Sequence, residues 1–224
     1  MSDAYAEAAA FWSTDNAKHR VWSHWRDNQS VGAWALFGGL ARTLVDQLMR
    51  ETDEPEPERV IEWGCGGGAN VVQFPNTTYY GVDVSFHSLA EAERQYRKVG
   101  GREFQSCPVA INDPESIGRL VTNCDLFLST YVFQHFPGKK YGARVLRVAH
   151  DTLRPGGLLV VQIRTGMQAT PDRPYSEDFT RTATWSGSSF SRLLDVCGFD
   201  VILTRPVERP KDYIYFGAQK KEAA

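Results

Sequence analysis

Glu62 stands two residues before Gly64, and Gly66 and Gly68 follow at alternate positions in the run Val60-Ile61-Glu62-Trp63-Gly64-Cys65-Gly66-Gly67-Gly68. A β-branched pair that leads into an acid and then into glycines predicts a buried strand. It ends in a turn whose backbone passes very close to a ligand, because glycine takes positive φ and puts no side chain in the way. The acid narrows the chemistry. A turn that receives pyrophosphate uses backbone N–H donors and the positive end of a helix, where a fixed carboxylate is unfavourable. A carboxylate suits a ligand that carries positive charge of its own. Residues 78–85 predict a second strand with Asp83 at its end. That acid lies about twenty residues past the turn, the separation at which a βαβ unit brings a carboxylate to ribose hydroxyls. An acid there also serves as a cap for the helix predicted over 89–99.

These residues resemble motif I of the class I S-adenosylmethionine-dependent methyltransferases, (Asp/Glu)-x-Gly-x-Gly-x-Gly, with Glu62, Gly64, Gly66 and Gly68 in register. The ammonium and sulfonium of S-adenosylmethionine supply the positive charge that Glu62 invites. Gly64, Gly66 and Ala69 also satisfy the dinucleotide spelling Gly-x-Gly-x-x-Ala, so an oxidoreductase stays open on these two elements alone. Two later segments separate the readings. Cys124 to Thr130 is an apolar run introduced by an acid and predicts a buried parallel strand. It leads into Tyr131-Val132-Phe133-Gln134-His135-Phe136-Pro137. A helix is expected over 141–153, stopped by Pro155-Gly156-Gly157, before a strand over 158–163. The order strand, helix, Leu-x-Pro-Gly-Gly, strand is similar to the fourth and fifth strand region of the same family. The resemblance implies Glu62, Gly64, Cys65, Gly66 and Ser129 around the cofactor, Asp83 on the ribose and Val84 on the adenine.

The C-terminal part predicts a helix over 190–196 and strands over 200–204 and 213–217. Two strands joined so briefly pair antiparallel, since a parallel crossover needs a dozen or more residues. The expected fold is α/β: a doubly wound, mostly parallel seven-stranded sheet with helices on both faces and a C-terminal antiparallel hairpin. Residues 1–50 are expected to form a helical N-terminal cap, 51–58 a solvated linker and 59–224 the methyltransferase core, one structural domain in all.

The 224 residues carry a net charge of −2, so no strong field draws in nucleic acid. Cys65, Cys107, Cys124 and Cys197 are scattered without a Cys-x-x-Cys pair, as expected of reduced thiols in a cytoplasmic protein. The alanine-rich N-terminus has neither a basic start nor a long apolar stretch, so no signal peptide or membrane span is expected. Monomer and homo-oligomer are not distinguished.

Methyl transfer is an in-line displacement at carbon, and an oxygen acceptor must also lose its proton. His135, six residues past Ser129 on the lip after the fourth strand, is the candidate general base. His87 is placed to cap a helix, and His19, His24 and His150 have weaker positional claims. Tyr131, Gln134, Trp25 and Trp185 are candidate acceptor contacts. Trp12, Trp22, Trp25 and Trp34 fall near helical spacing, as anchors of a cap do, with one or two turned to the pocket. The polar loop 164–189 brings Met167, Arg173, Tyr175, Asp178, Phe179, Arg181 and Trp185 to the edge of the sheet where substrates bind. The (Asp/Asn/Ser)-Pro-Pro-(Tyr/Phe) motif of adenine methylation and a Pro-Cys nucleophile are both missing. The segment ending in His135 is similar to O-methyltransferases of sugars and secondary metabolites, which implies a small-molecule or carbohydrate hydroxyl as acceptor. An N-methyltransferase and a catalytically silent binding subunit are the alternatives. Mg2+ is compatible with such chemistry, but Asp113, Asp125 and Asp151 show no metal spacing.

Overall fold

The computed structural model describes residues 4–166, 174–208 and 211–222. Its strands are β1 (Arg59–Trp63), β2 (Thr78–Asp83), β3 (Glu103–Pro108), β4 (Cys124–Ser129), β5 (Leu153–Arg164), β6 (Phe199–Pro206) and β7 (Tyr213–Lys220). They form one seven-stranded sheet in the order β3-β2-β1-β4-β5-β7-β6. β1 to β5 pair in parallel, and β7 runs antiparallel to both β5 and β6. The helices are α1 (Ala4–Ser13), α2 (Ala17–Trp22), α3 (Val31–Thr52), α4 (Phe86–Lys98), α5 (Ser116–Leu120), α6 (Lys139–Thr152), the single turn α7 (Tyr175–Asp178) and α8 (Gly187–Val196).

Consecutive residues of a strand point to opposite faces, and the central strands are apolar on both. Ile61, Tyr80, Phe127, Leu159 and Val161 enter one buried layer with α6 and α8. Val60, Tyr79, Leu126, Leu128 and Val160 enter the other, with α3 and α4. β1, β2 and β4 all point their C-terminal ends at one edge of the sheet, beyond which the turns open.

Some details depart from the sequence reading. The Pro155-Gly156-Gly157 stop is not a loop before a strand. Leu153 already pairs with Cys124, the next pair is Leu126 with Leu158, and the extra residues bulge out, with Gly156 at φ +70°. The edge strand β3 is mostly exposed, so apolar alternation does not mark it. The acidic run 51–58 is not simply solvated: α3 extends to Thr52, Glu54 pairs with Arg154, and Glu56 pairs with Arg42.

The N-terminal fifty residues divide in two. α3 lies on the sheet, with Leu44, Val45 and Leu48 fully buried against β-strand residues. α1, α2 and the turn after α2 instead reach over the strand ends. There the turn docks on the glycines. The Gly67 N–H donates to the Ser23 carbonyl at 2.8 Å. A Cβ on Gly66 would stand 2.4 Å from that same oxygen, and one on Gly67 would stand 2.5 Å from the Trp25 ring. Gly66 also sits at φ +51°. The chain's own N-terminal turn, and not a ligand alone, therefore forbids side chains here. Gly66→Ala is expected to cost about 1–3 kcal/mol, from left-handed backbone strain and displacement of the turn. Trypsin should then cleave faster after Lys18 and Arg20. Gly39→Ala, in α3 with nothing within 4 Å of the added Cβ, should be neutral or stabilising.

Candidate active site

Two clefts open at this edge. The first, about 870 Å³, is lined by Glu62, Gly64, Cys65, Gly66, Asn70, Asp83, Val84, Val109, Ile111 and Thr130, with Trp12 and Ser23 above. The second, about 1630 Å³, lies between α3 and the β6–β7 hairpin and is lined by Leu36, Leu40, Gln134, Arg205, Glu208, Tyr213 and Tyr215. Trp22, His24, Phe37, Tyr131 and His135 line both. They form a shared wall.

Glu62 is 2% exposed at the end of β1. Its Oε2 accepts from the Tyr79 hydroxyl at 2.7 Å and its Oε1 from Asn70 Nδ2 at 2.6 Å. Burial pushes its carboxyl up to about 8, against the pull of those two donors. Asn70 Nδ2 also donates to Thr130 Oγ1, while Asn70 Oδ1 is buried without a partner. A buried acceptor left open beside a carboxyl short of charge partners is a place for a cationic donor.

Across the cleft, Asp83 Oδ2 accepts the Gly66 N–H at 3.0 Å and Oδ1 accepts the Ser85 N–H at 2.9 Å. Burial raises Asp83 to about 6, and these backbone donors oppose the rise. Val84, Val109 and Ile111 add an apolar side to the same cleft. The Cys65 thiol is buried, and burial holds it well above its ordinary range, so it is no nucleophile at neutral pH. An adenosine that bears an ammonium finds here two carboxyls, an orphaned amide oxygen and an apolar slot.

Several residues named from sequence lie elsewhere. Ser129 is fully buried and its hydroxyl donates to the Trp63 carbonyl at 3.0 Å, so it braces β4 against β1 and does not line the cleft. Trp185 packs against Phe133 and Phe190 and over Gly142, inside the core. Trp25 covers Gly67, with Arg20 stacked 5.0 Å from its ring. Of the four N-terminal tryptophans, Trp12 and Trp22 line the cleft. Met167 and Arg173 lie outside the described residues. Gln134 faces the second cleft, with Oε1 buried and unpartnered.

His135 is half-buried on the wall. Its Nδ1 donates to the Phe179 carbonyl at 2.8 Å, which leaves Nε2 to accept from Gln134 Nε2 at 3.1 Å. Burial lowers its pKa to about 4, and it is neutral at pH 7. His24 has the same depressed value, about 4, from burial alone. Its ring stacks on Phe37 at 4.3 Å and meets Tyr131 edge-on at 5.3 Å. Sequence reasoning passed over Asn70 and Phe37 and gave His24 only a weak positional claim. Of the two passed over, only Asn70 left a trace, as a small polar residue just past the glycine run.

Among the described residues no three of His, Cys, Asp and Glu converge as metal ligands do, and no helix is long and apolar enough to cross a membrane. Asp113 is taken by Arg119 and Asp125 by Arg154.

Residues 61–161 match the family described as a methyltransferase domain. An uncharacterised protein of Rickettsia prowazekii (strain Madrid E) is 26% identical over 129 residues, 55% of this chain and 22% of that protein. The chain thus spans about a fifth of the length of that relative. Magnesium protoporphyrin IX methyltransferase of Synechocystis PCC 6803, solved with bound SAH, superposes with a TM-score of 0.69 at 14% identity, over 98% of this chain and 100% of that one. An O-methyltransferase family protein from Burkholderia thailandensis gives 0.61 at 14% identity, over 83% and 57%. The [4+2]-cyclase SpnF gives 0.62 at 16% identity, over 81% of each chain. At such identities the likeness is one of fold. Residues 61–161 thus match a methyltransferase domain, and the chain shares its fold with a solved S-adenosylmethionine-type methyltransferase.

Proposed function

We propose that the first cleft holds S-adenosylmethionine and that the second receives a small hydroxylated acceptor, methylated on oxygen across the wall the clefts share. The observation that carries this reading is that Glu62 and the orphaned Asn70 oxygen, two buried acceptor groups, line one cleft. Together they suit the cofactor's ammonium. Asp83 would take the ribose hydroxyls, Val84 with Val109 and Ile111 would flank the adenine, and Gly64, Cys65 and Gly66 would supply the turn that the cofactor crosses. When bound, S-adenosylmethionine supplies an electrophilic methyl group on sulfonium. The protein's part is alignment, water exclusion and removal of the acceptor's proton.

The second cleft supports a neutral acceptor. Its two charged lining residues, Arg205 and Glu208, are exposed, at the rim, while Phe37, Tyr131, Tyr213 and Tyr215 make flat walls within. Gln134 Oε1 and the Tyr215 hydroxyl are buried there without hydrogen-bond partners of ordinary geometry. A hydroxyl-bearing sugar or phenol would satisfy both. Four free, buried cysteines suit a reducing compartment such as the cytoplasm, and a net charge of −2 offers no footprint for nucleic acid.

Thermal melting tests the cofactor half. S-Adenosylmethionine at a hundred times its dissociation constant adds about 2.7 kcal/mol, which should raise Tm by roughly 5–10 °C. NAD and NADP should leave it unchanged. A melt raised by NAD but not by S-adenosylmethionine would sink the reading.

A further inference from the structure

The shared wall contains two imidazoles, and they differ in one respect that bears on chemistry. Both ring nitrogens of His135 are engaged, Nδ1 by the Phe179 carbonyl and Nε2 by the Gln134 amide. Only backbone atoms of His24 make hydrogen bonds among the described residues: its N–H donates to the Val21 carbonyl, and its carbonyl accepts from Trp34 Nε1 at 2.7 Å. Its ring is held by stacking alone, on Phe37 and against Tyr131. A neutral imidazole with an uncommitted lone pair, facing both clefts, has the form of a base. An imidazole whose nitrogens already serve the protein has the form of a brace.

The backbone agrees. His24 sits at φ +54° and Tyr131 at φ +58°, two left-handed residues without the glycine that such angles favour. Backbone strain of this kind costs of order 1–3 kcal/mol and persists where the surroundings impose it, with functional sites over-represented. Here the surroundings are specific: Trp34 holds the His24 carbonyl, Gly67 holds the Ser23 carbonyl, and Gln162 Oε1 holds the Tyr131 N–H at 2.8 Å. The two strained residues meet on the wall through their rings.

We propose that His24, carried in by the turn after α2, is the proton acceptor for methyl transfer, and that His135 is a positioning residue. This rests on the O-methyl transfer reading above. The acceptor oxygen forms its bond to the methyl carbon as the carbon–sulfur bond breaks, and the electron pair leaves on sulfur as the neutral thioether. The hydroxyl proton passes to the free lone pair of the His24 ring, and the resulting imidazolium later gives it up to solvent. His135, tied to Gln134, keeps that amide turned so that its Oε1 stays open to the acceptor hydroxyl.

The test uses methyl-labelled S-adenosylmethionine with catechol and methyl glucoside as acceptor probes. His24→Asn is the first variant, because asparagine tolerates left-handed backbone and so preserves the turn. Its kcat should fall by roughly 10²–10⁴, with KM and the calorimetric affinity for S-adenosylmethionine within about twofold of wild type. In His24→Gly, added imidazole should restore turnover, which a structural defect would not permit. His135→Ala should respond differently, with a raised acceptor KM and no imidazole rescue. Wild-type kcat in His24→Asn overturns the proposal, and so does loss of cofactor binding in that variant. If the wild-type protein binds S-adenosylmethionine but labels neither probe, O-methylation of such hydroxyls fails first, and the role of His24 falls with it.

Discussion

Asp83→Ala is expected to raise the dissociation constant for S-adenosylmethionine by roughly 30- to 700-fold. Two hydrogen bonds from ribose hydroxyls to a carboxylate, offset by the water they displace, are together worth about 2–4 kcal/mol, and each 1.4 kcal/mol is a factor of ten. The geometry explains why the loss should be large for so small a change. Both Asp83 oxygens already accept a backbone N–H, from Gly66 and from Ser85, so the carboxylate is aimed before the ligand arrives. One of those donors belongs to the glycine turn itself. Calorimetry with 5′-methylthioadenosine, which keeps the ribose and lacks the amino acid, should show the same loss. An unchanged affinity for both ligands would remove Asp83 from the ribose. Circular dichroism should show a folded variant, since the substitution also relieves a buried carboxyl whose pKa is raised to about 6.

Glu62→Gln should act on the other end of the cofactor and leave 5′-methylthioadenosine binding intact. Glu62 by itself titrates at about 8, so at pH 7 it is mostly protonated. An ammonium placed against it favours the carboxylate, and binding must then expel a proton, roughly 0.9 per site at pH 7. Wild-type affinity should rise with pH by up to about tenfold per unit below pH 8, then level off. The glutamine variant should lack both the proton release and the slope. Calorimetry in buffers of different ionisation enthalpy measures the release directly, and equal values in the two proteins would argue against Glu62 as the ammonium partner. Stability of the fold itself moves the opposite way. A folded pKa above the ordinary 4.5 means that this group's contribution is fully present below that value and is lost as pH rises through about 8. The Tm of Glu62→Gln should therefore gain on that of wild type between pH 5 and pH 8. The substituted side chain can be accommodated, because Asn70 can turn its unpartnered oxygen toward the new amide.

The sequence by itself determined most of the sheet and the residues at the ends of β1 and β2 that line the first cleft. Strands β1, β2, β4 and β5 are short apolar runs whose neighbours along the chain announce their ends, and the glycine turn, Glu62 and Asp83 sit at those ends. Such features are local, so spacing alone reports them. Strand β3 escaped because an exposed edge has no apolar period to display. The tertiary structure alone decided the rest. Trp25 and Trp185 look like pocket aromatics in sequence, yet one covers Gly67 and the other fills the space over Gly142. Ser129 ends β4, but its hydroxyl turns inward to the Trp63 carbonyl. His24 stands more than a hundred positions from Tyr131, and what brings the two rings together is a left-handed turn bolted to the glycine run and to Trp34. A residue's type and spacing state what chemistry it could do. Which of its atoms remain free to do it depends on partners distant in the chain, and those are set only when the chain closes on itself.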